Sequence, residues 1–216
     1  MKALIKKNHF IWLTLAMVGM LVAGALSKQV ENNFTLELLE FSSIGLLFMS
    51  LLSLNTKRRW GKFFLLIIAV MMVIVIFRSF TELYYFEYSY LGFLLIFLIA
   101  AAWIVGENVL LTGEVDLNTI VGSVALYLLI GLIWSILYTM LLEFAPNSFA
   151  GIEPGPWYDN MATTTYFSFV TLTTLGYGDI SPVKPIAEVL VILEAIVGMF
   201  YMAVIVASLI GAHRNK

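Results

Sequence analysis

Long apolar segments constrain this chain more than any other feature, because six of them approach the length that crosses a bilayer. A hydrocarbon core about 30 Å thick requires about 20 mostly apolar residues in a helix. The hydrophobic share of the 216 residues is 61% and the charged share is 12%, which excludes an ordinary soluble domain. The candidate spans are residues 9–26, 36–54, 63–83, 88–111, 117–142 and 185–213. The sequence therefore predicts an all-α membrane protein with six transmembrane helices.

The region between the fifth and sixth spans is predicted to enter the membrane without crossing it. It contains all five prolines of the chain, if Pro185 at the start of the sixth span is counted. Residues 160–173 predict a short helix with Asp159 or Asn160 as its N-cap. The negative end of its dipole would point toward the membrane centre and favour a cation there. Such a half-helix is tolerated at membrane depth where protein and a water-filled cavity surround it.

The placement of lysine and arginine predicts that both chain termini are cytoplasmic. With alternating spans, only Lys28 and Lys184 fall in segments on the outer side. We expect a multi-pass protein of the plasma (inner) membrane, in contact with its lipids. The basic residues on the inner side are Lys2, Lys6, Lys7, Lys57, Arg58, Arg59, Lys62, Arg214 and Lys216.

The N-terminus has a second interpretation. A basic start, an apolar run and the small residues 23–25 also fit a cleaved signal peptide. Cleavage would leave the orientation of the later spans unchanged, so both interpretations lead to the same function.

Residues 173–179, Thr-Thr-Leu-Gly-Tyr-Gly-Asp, carry the functional signal and are called the filter segment below. Gly176 and Gly178 tolerate positive φ, which lets the backbone carbonyls of the segment turn the same way. Four copies around an axis would stack rings of carbonyl oxygens, with one more ring from the Thr174 hydroxyl. Such rings can replace the water shell of a K⁺ ion.

The filter segment resembles the T-V-G-Y-G selectivity filter of potassium channels, with Leu175 where valine is usual. Residues 166–182 are similar to the pore helix, filter and outer mouth of prokaryotic potassium channels with a two-helix pore domain. The likeness covers about residues 113–213, and its other matching stretches are residues 120–122, 127–131, 134 and 193–198. It implies a homotetramer around a central pore.

The resemblance also implies roles for individual residues. Asp179 would lie at the outer mouth, and Tyr177 would pack its ring against pore-helix aromatics such as Phe167. Some family members place a carboxylate where this chain has Val170, so we hypothesise that Tyr166 bonds Asp179 instead. The ion-binding residues would be Thr174, Leu175, Gly176, Tyr177 and Gly178, with K⁺ bound at the first four.

Three features of the sixth span bear on gating. Gly198 stands where the family often has a hinge, although close helix packing would also explain a glycine. Ala203, Ala207 and Gly211 share one face, which is either a gate or a packing seam.

Glu194 is costly inside a membrane and therefore marks a function or a buried partner. It would face either the cavity, concentrating cations, or the pore helix, bonding hydroxyls such as that of Thr171; we favour the second.

The first four helices have the layout of a voltage sensor without its charges. Residues 88–106 contain no lysine or arginine, and Arg78 is expected to pair with Glu82. We therefore predict voltage-independent opening. The predicted domains are a four-helix domain, residues 1–112, and a pore domain, residues 113–216, with no cytoplasmic ligand-binding domain. The first domain would scaffold the tetramer or bind lipid or a partner.

The sequence thus favours a potassium-selective channel that needs no cofactor beyond the K⁺ ions it conducts. A less selective cation channel and a regulatory subunit without its own conductance remain alternatives. An enzyme is not expected, because no paired aspartates, His-Glu metal motif or Gly-x-Ser-x-Gly occur. The net charge of −2 gives no reason to expect nucleic acid as a partner.

Overall fold

The computed structural model describes residues 9–27, 44–45, 58–78, 85–110 and 117–214. These residues form helices, one pair of very short strands and the loops between them. In chain order the elements are α1 (His9–Ser27), α2 (Arg58–Arg78), α3 (Tyr85–Leu110), α4 (Leu117–Phe144), β1 (Phe149–Ala150), α5 (Trp157–Leu172), β2 (Ser181–Pro182) and α6 (Pro185–Arg214).

Four of these helices are long and apolar enough to cross a bilayer. Their apolar windows are Trp60–Phe77, Tyr88–Val109, Asn118–Phe144 and Pro185–Ile205. In α1 the apolar part, Phe10–Ala25, is shorter. The predicted class of all-α membrane protein is therefore confirmed. The predicted second span and the Arg78–Glu82 pair lie outside the residues and side chains that the structure describes, so a total of six spans stays a prediction.

The chain divides into two compact units, Met1–Leu129 and Ile130–Lys216, with the division inside α4. In the N-terminal unit, α2 buries one stripe formed by Phe64, Ile67, Met71 and Ile74. The spacing of three or four residues places these side chains on a single helix face. The rings of Phe64 on α2 and Phe97 on α3 lie 4.8 Å apart. Most of the other apolar side chains of α2 are exposed, as expected for a helix in contact with lipid.

In the C-terminal unit, the core lies where α4, α5 and the two strands meet. The ring of Phe167 on α5 lies 5.2 Å from that of Tyr138 on α4 and 5.3 Å from that of Phe149 on β1. β1 and β2 pair antiparallel, with Ala150 opposite Ser181. β1 precedes α5, the predicted half-helix, and β2 follows the filter segment. The pairing of the two strands therefore brings together the chain before α5 and the chain after the filter segment.

The start of the half-helix corrects one prediction. α5 begins at Trp157, three residues before the predicted start, and its N-cap is Pro156 without a side-chain cap. Asn160 already lies inside the helix, and its side-chain Nδ2 donates to the Gly155 carbonyl at 3.1 Å. Neither Asp159 nor Asn160 is therefore the N-cap. Asp159 lies in the first turn, where its charge suits the helix dipole.

Candidate functional site

The filter segment is bonded to the end of the half-helix that precedes it. The backbone N–H of Leu175 donates to the Val170 carbonyl at 2.9 Å, and that of Gly176 donates to the same oxygen at 3.3 Å. The Thr174 N–H donates to the Thr171 carbonyl at 2.9 Å. These bonds satisfy carbonyls that the end of a helix leaves without an internal partner. α5 therefore fixes the first half of the filter segment.

Positive φ recurs at every second residue of the filter segment. The φ angles are 59° at Thr174, 57° at Gly176 and 80° at Gly178, while Leu175 and Tyr177 between them stay at negative φ. A segment whose successive carbonyls turn toward the same side needs such a backbone, because φ of alternating sign reverses the usual flip between neighbouring peptides. The sequence indicated positive φ at the two glycines, and the common direction of the carbonyls stays a prediction.

Thr174 also has positive φ, which the sequence did not predict. A β-branched residue at positive φ is rare, and such a conformation costs about 1–3 kcal/mol. Nothing lies within 4 Å of a Cβ built on Gly176 or Gly178, so conformation rather than space requires glycine there. The same argument would favour glycine at residue 174, and a threonine there indicates that its hydroxyl has a use.

All residues of the filter segment are exposed in the single chain. Tyr177 is 66% exposed, whereas Phe167 is 5% exposed and packs against Tyr138 and Phe149. The predicted packing of Tyr177 against Phe167 is therefore not found within the chain, because Phe167 faces the outer helix α4 and β1. The exposed strip leaves the filter carbonyls and the Tyr177 ring available to other molecules.

The hypothesised bond between Tyr166 and Asp179 is present. The Tyr166 hydroxyl donates to Oδ2 of Asp179 at 2.8 Å. The hydrogen bond to this carboxylate raises the pKa of Tyr166 above its ordinary value. Val170 contributes no polar side chain and supports the filter segment through its carbonyl oxygen.

A hydroxyl network holds α5 against α4. The Oγ atom of Ser135 lies 2.7 Å from Oγ1 of Thr165, and Oγ1 of Thr139 lies 2.7 Å from Oγ1 of Thr164. Ser135, Thr139 and Thr164 are completely buried. Buried hydroxyls are costly unless they are paired, so this network favours one register of the half-helix on α4.

Glu194 on α6 faces the other helices of its unit. The carboxylate is completely buried, with Oε2 2.5 Å from the Tyr138 hydroxyl and Oε1 2.6 Å from the Ser168 hydroxyl. The favoured orientation, toward the half-helix, is therefore the one observed, although the partner is Ser168 and not Thr171. Tyr138 was missed because nothing in the sequence pairs positions 56 residues apart.

Gly198 lies one turn after Glu194, where α6 approaches the end of α5. A Cβ built on Gly198 would collide with the Leu172 carbonyl oxygen. Close packing therefore requires glycine here, and the hinge stays a prediction. Ala207 is exposed on α6. Gly211 lies further along α6, and the gate proposed for these two residues stays a prediction.

Comparisons with known proteins place this site within a channel-like segment. Residues 124–214, from α4 to the end of α6, match a protein family described as ion channel. The chain is 35% identical over 91 residues to the inward rectifier potassium channel Kirbac3.1 of Paramagnetospirillum magnetotacticum, which covers 42% of this chain and 28% of that protein. It is 28% identical over 86 residues to two-pore potassium channel 5 of Arabidopsis thaliana, covering 40% of this chain and 20% of that protein. No solved structure matches.

The chain thus spans less than a third of the length of either relative. The matched residues contain the half-helix, the filter segment and the helices on both sides of them. Together with the apolar helices, the matches support a multi-pass membrane protein with a segment that is similar to those of ion channels.

Proposed function

We propose that the protein is a homotetrameric, potassium-selective channel that conducts K⁺ passively and is not an enzyme. The observation that carries the proposal is the alternation of positive φ at Thr174, Gly176 and Gly178. We infer from it that consecutive carbonyls point to one side of the segment, whose residues are all exposed in the single chain. One chain provides one strip, and four strips around an axis provide the rings that replace the hydration shell of K⁺.

The ion path follows from the order of ligands along the strip. A dehydrated ion would meet the Thr174 hydroxyl and carbonyl first when coming from the cytoplasm, and the Tyr177 and Gly178 carbonyls last. Asp179 would lie at the outer mouth and attract cations to it. The end of α5 would direct its negative dipole toward the inner entrance, which stabilises a cation there.

We propose voltage-independent opening, since α3 contains no lysine or arginine. One charge that crosses the membrane field gains about 2.3 kcal/mol per 100 mV, and α3 has no row of basic residues to provide such a response. The positive charges of the loops support a plasma-membrane protein with both termini in the cytoplasm.

The direct test is a K⁺ flux assay on purified protein in liposomes, with Ba²⁺ as blocker. We expect K⁺ flux that Ba²⁺ stops, a near-Nernstian reversal potential in mixed K⁺ and Na⁺, and no steep dependence on voltage. The matched pair of variants is Gly176→Ala, at positive φ, and Gly155→Ala, at negative φ with its nearest neighbour atom 3.8 Å away. Only the first should abolish flux.

Two outcomes would contradict the proposal. Comparable permeability to Na⁺ and K⁺ would show a less selective cation channel, for which Leu175 in place of valine would be the first residue to examine. An assembled tetramer without any flux would show a subunit that has no conductance of its own.

A further inference from the structure

The two ends of the filter segment receive their backbone support from different parts of the chain. At the first end, the amides of Leu175 and Gly176 donate to the Val170 carbonyl of the half-helix. At the second end, the chain leaves Asp179 and enters β2, which pairs with β1. The antiparallel pair of Phe149–Ala150 with Ser181–Pro182 is called the ribbon below. Among the described residues, the carbonyls of the half-helix accept backbone bonds from the filter segment only as far as Gly176. The ribbon adjoins the other end of the segment, after Asp179.

Gly151, directly after β1, touches the end of the filter segment. Its φ of 83° is disfavoured for any other residue, and a Cβ on it would collide with the Asp179 carbonyl oxygen. The Cα of Ile180 would lie 3.2 Å from the same Cβ. Glycine is therefore needed for two independent reasons. The backbone of Gly151 lies directly against the carbonyl of Asp179.

Further bonds connect the ribbon to the end of α4. The Val183 N–H donates to the Ser148 carbonyl at 2.9 Å, and the Ser148 hydroxyl donates to the Ala145 carbonyl at 2.5 Å. Nζ of Lys184 donates to the Pro146 carbonyl at 2.7 Å. Ile180, which joins Asp179 to β2, is buried in the core with Phe149. The outer end of the filter segment is thereby attached to a transmembrane helix.

We propose that the ribbon and Gly151 position the Gly178 and Asp179 backbone so that the outermost K⁺ site keeps its geometry when it is empty. This inference rests on the proposed function. Aligned carbonyl dipoles repel one another once their ion has left, so an unsupported ring relaxes and must be rebuilt before the next ion binds. A site held within about 0.5 Å of its binding geometry avoids that cost. Gly151 is a positioning residue in this account and binds no ion itself.

The test measures K⁺ affinity in purified tetramer with and without a change at Gly151. K⁺ binding raises the thermal midpoint of unfolding in a concentration-dependent way, which gives the half-saturating K⁺ concentration without any conduction. The same concentration is then measured for flux with K⁺ varied on the outer side. For Gly151→Ala we expect both values to rise by about 2- to 10-fold, because the added Cβ must displace the Asp179 carbonyl and so weaken about one polar contact to the ion. Gly155→Ala, in the same connection but at negative φ and with its nearest neighbour atom at an ordinary 3.8 Å, should leave both unchanged.

A second test uses one double variant that crosslinks the ribbon, and it does not depend on whether Gly151→Ala assembles. The chain has no cysteine, so Ala150→Cys with Ser181→Cys introduces two thiols at opposed ribbon positions and no others. Opposed residues of antiparallel strands have Cα atoms about 4.5–5.5 Å apart, which suits a disulfide. The oxidised protein should have a half-saturating K⁺ concentration about 2- to 10-fold lower than the same protein after reduction.

Equal values for the oxidised and reduced protein would overturn the inference, as would a Gly151→Ala protein that behaves like Gly155→Ala. The two proposals fail separately. A wild-type protein that binds K⁺ but does not conduct contradicts the proposed function, while the K⁺ titration still decides on the ribbon. A wild-type protein that neither binds nor conducts K⁺ overturns both.

Discussion

The Glu194 carboxylate on α6 accepts a hydrogen bond from the Tyr138 hydroxyl on α4, with 2.5 Å between the oxygens. Its other oxygen lies 2.6 Å from the Ser168 hydroxyl of the half-helix. One completely buried side chain therefore links all three helices of the C-terminal unit. In a membrane, where an unsatisfied polar group is costly, such a link fixes how these helices pack.

We predict that Glu194→Leu destabilises the protein without changing its single-channel current. The substitution leaves the buried Tyr138 hydroxyl without this acceptor, at a cost of about 1–3 kcal/mol. The Ser168 hydroxyl keeps its other acceptor, the Gly131 carbonyl at 2.7 Å. The measurement is the thermal midpoint of the purified tetramer, combined with single-channel recording at saturating K⁺.

A double-mutant cycle with Tyr138→Phe provides the control for Glu194. If the two residues act through their mutual bond, the double variant is less destabilised than the sum of the single variants. A large fall in current with stability unchanged would show that the carboxylate acts on ions in the cavity instead.

Gly198→Ala should lower stability, because its Cβ would collide with the Leu172 carbonyl at the end of the half-helix. Overpacking of this kind typically costs about 1–3 kcal/mol. Gly92→Ala in α3 is the matched control, since nothing lies within 4 Å of a Cβ there. The measurement is chemical or thermal unfolding of each variant in detergent. A hinge role predicts the opposite pattern, with stability retained and open probability reduced.

The sequence predicted the half-helix, the filter segment and the spans on both sides of them because each depends on a local signal. Hydropathy marks the spans, and the glycines at 176 and 178 mark the filter. Contacts between distant residues were not predictable in the same way. Ser168, Tyr138 and Gly151 have ordinary local surroundings in the sequence, and only packing shows that they touch Glu194 and Asp179.

The N-cap of the half-helix was misplaced for a related reason. Asp159 and Asn160 are both good N-cap residues, whereas the helix in fact starts after Pro156. Proline fixes φ near the value that a helix start accepts and needs no side-chain bond. The amide of Asn160 then bonds the Gly155 carbonyl from inside the first turns. Propensity identified the helix but not its first residue.

Tyr166→Phe should weaken the outer end of the filter segment, because it removes the 2.8 Å bond to Asp179 and leaves the ring in place. We expect faster loss of current during prolonged opening and a lower thermal midpoint at low K⁺, with little change at high K⁺, where bound ions support the filter. The measurement is macroscopic current decay at two external K⁺ concentrations. Unchanged decay and stability would show that the bond has no role in holding the filter.

Two substitutions at Thr174 separate the conformational cost of its positive φ from the role of its hydroxyl. Thr174→Ser keeps the hydroxyl, and Thr174→Ala removes it, while both keep a Cβ at the φ of 59°. If the hydroxyl is an ion ligand, the alanine variant should bind K⁺ about 2- to 10-fold more weakly, the value of one polar contact, and the serine variant should bind almost as the wild type does. The measurement is the half-saturating K⁺ concentration for thermal stabilisation of each tetramer. Equal affinities for the two variants would mean that the hydroxyl is not a ligand, and a threonine at this φ would then lack the use that offsets its conformational cost.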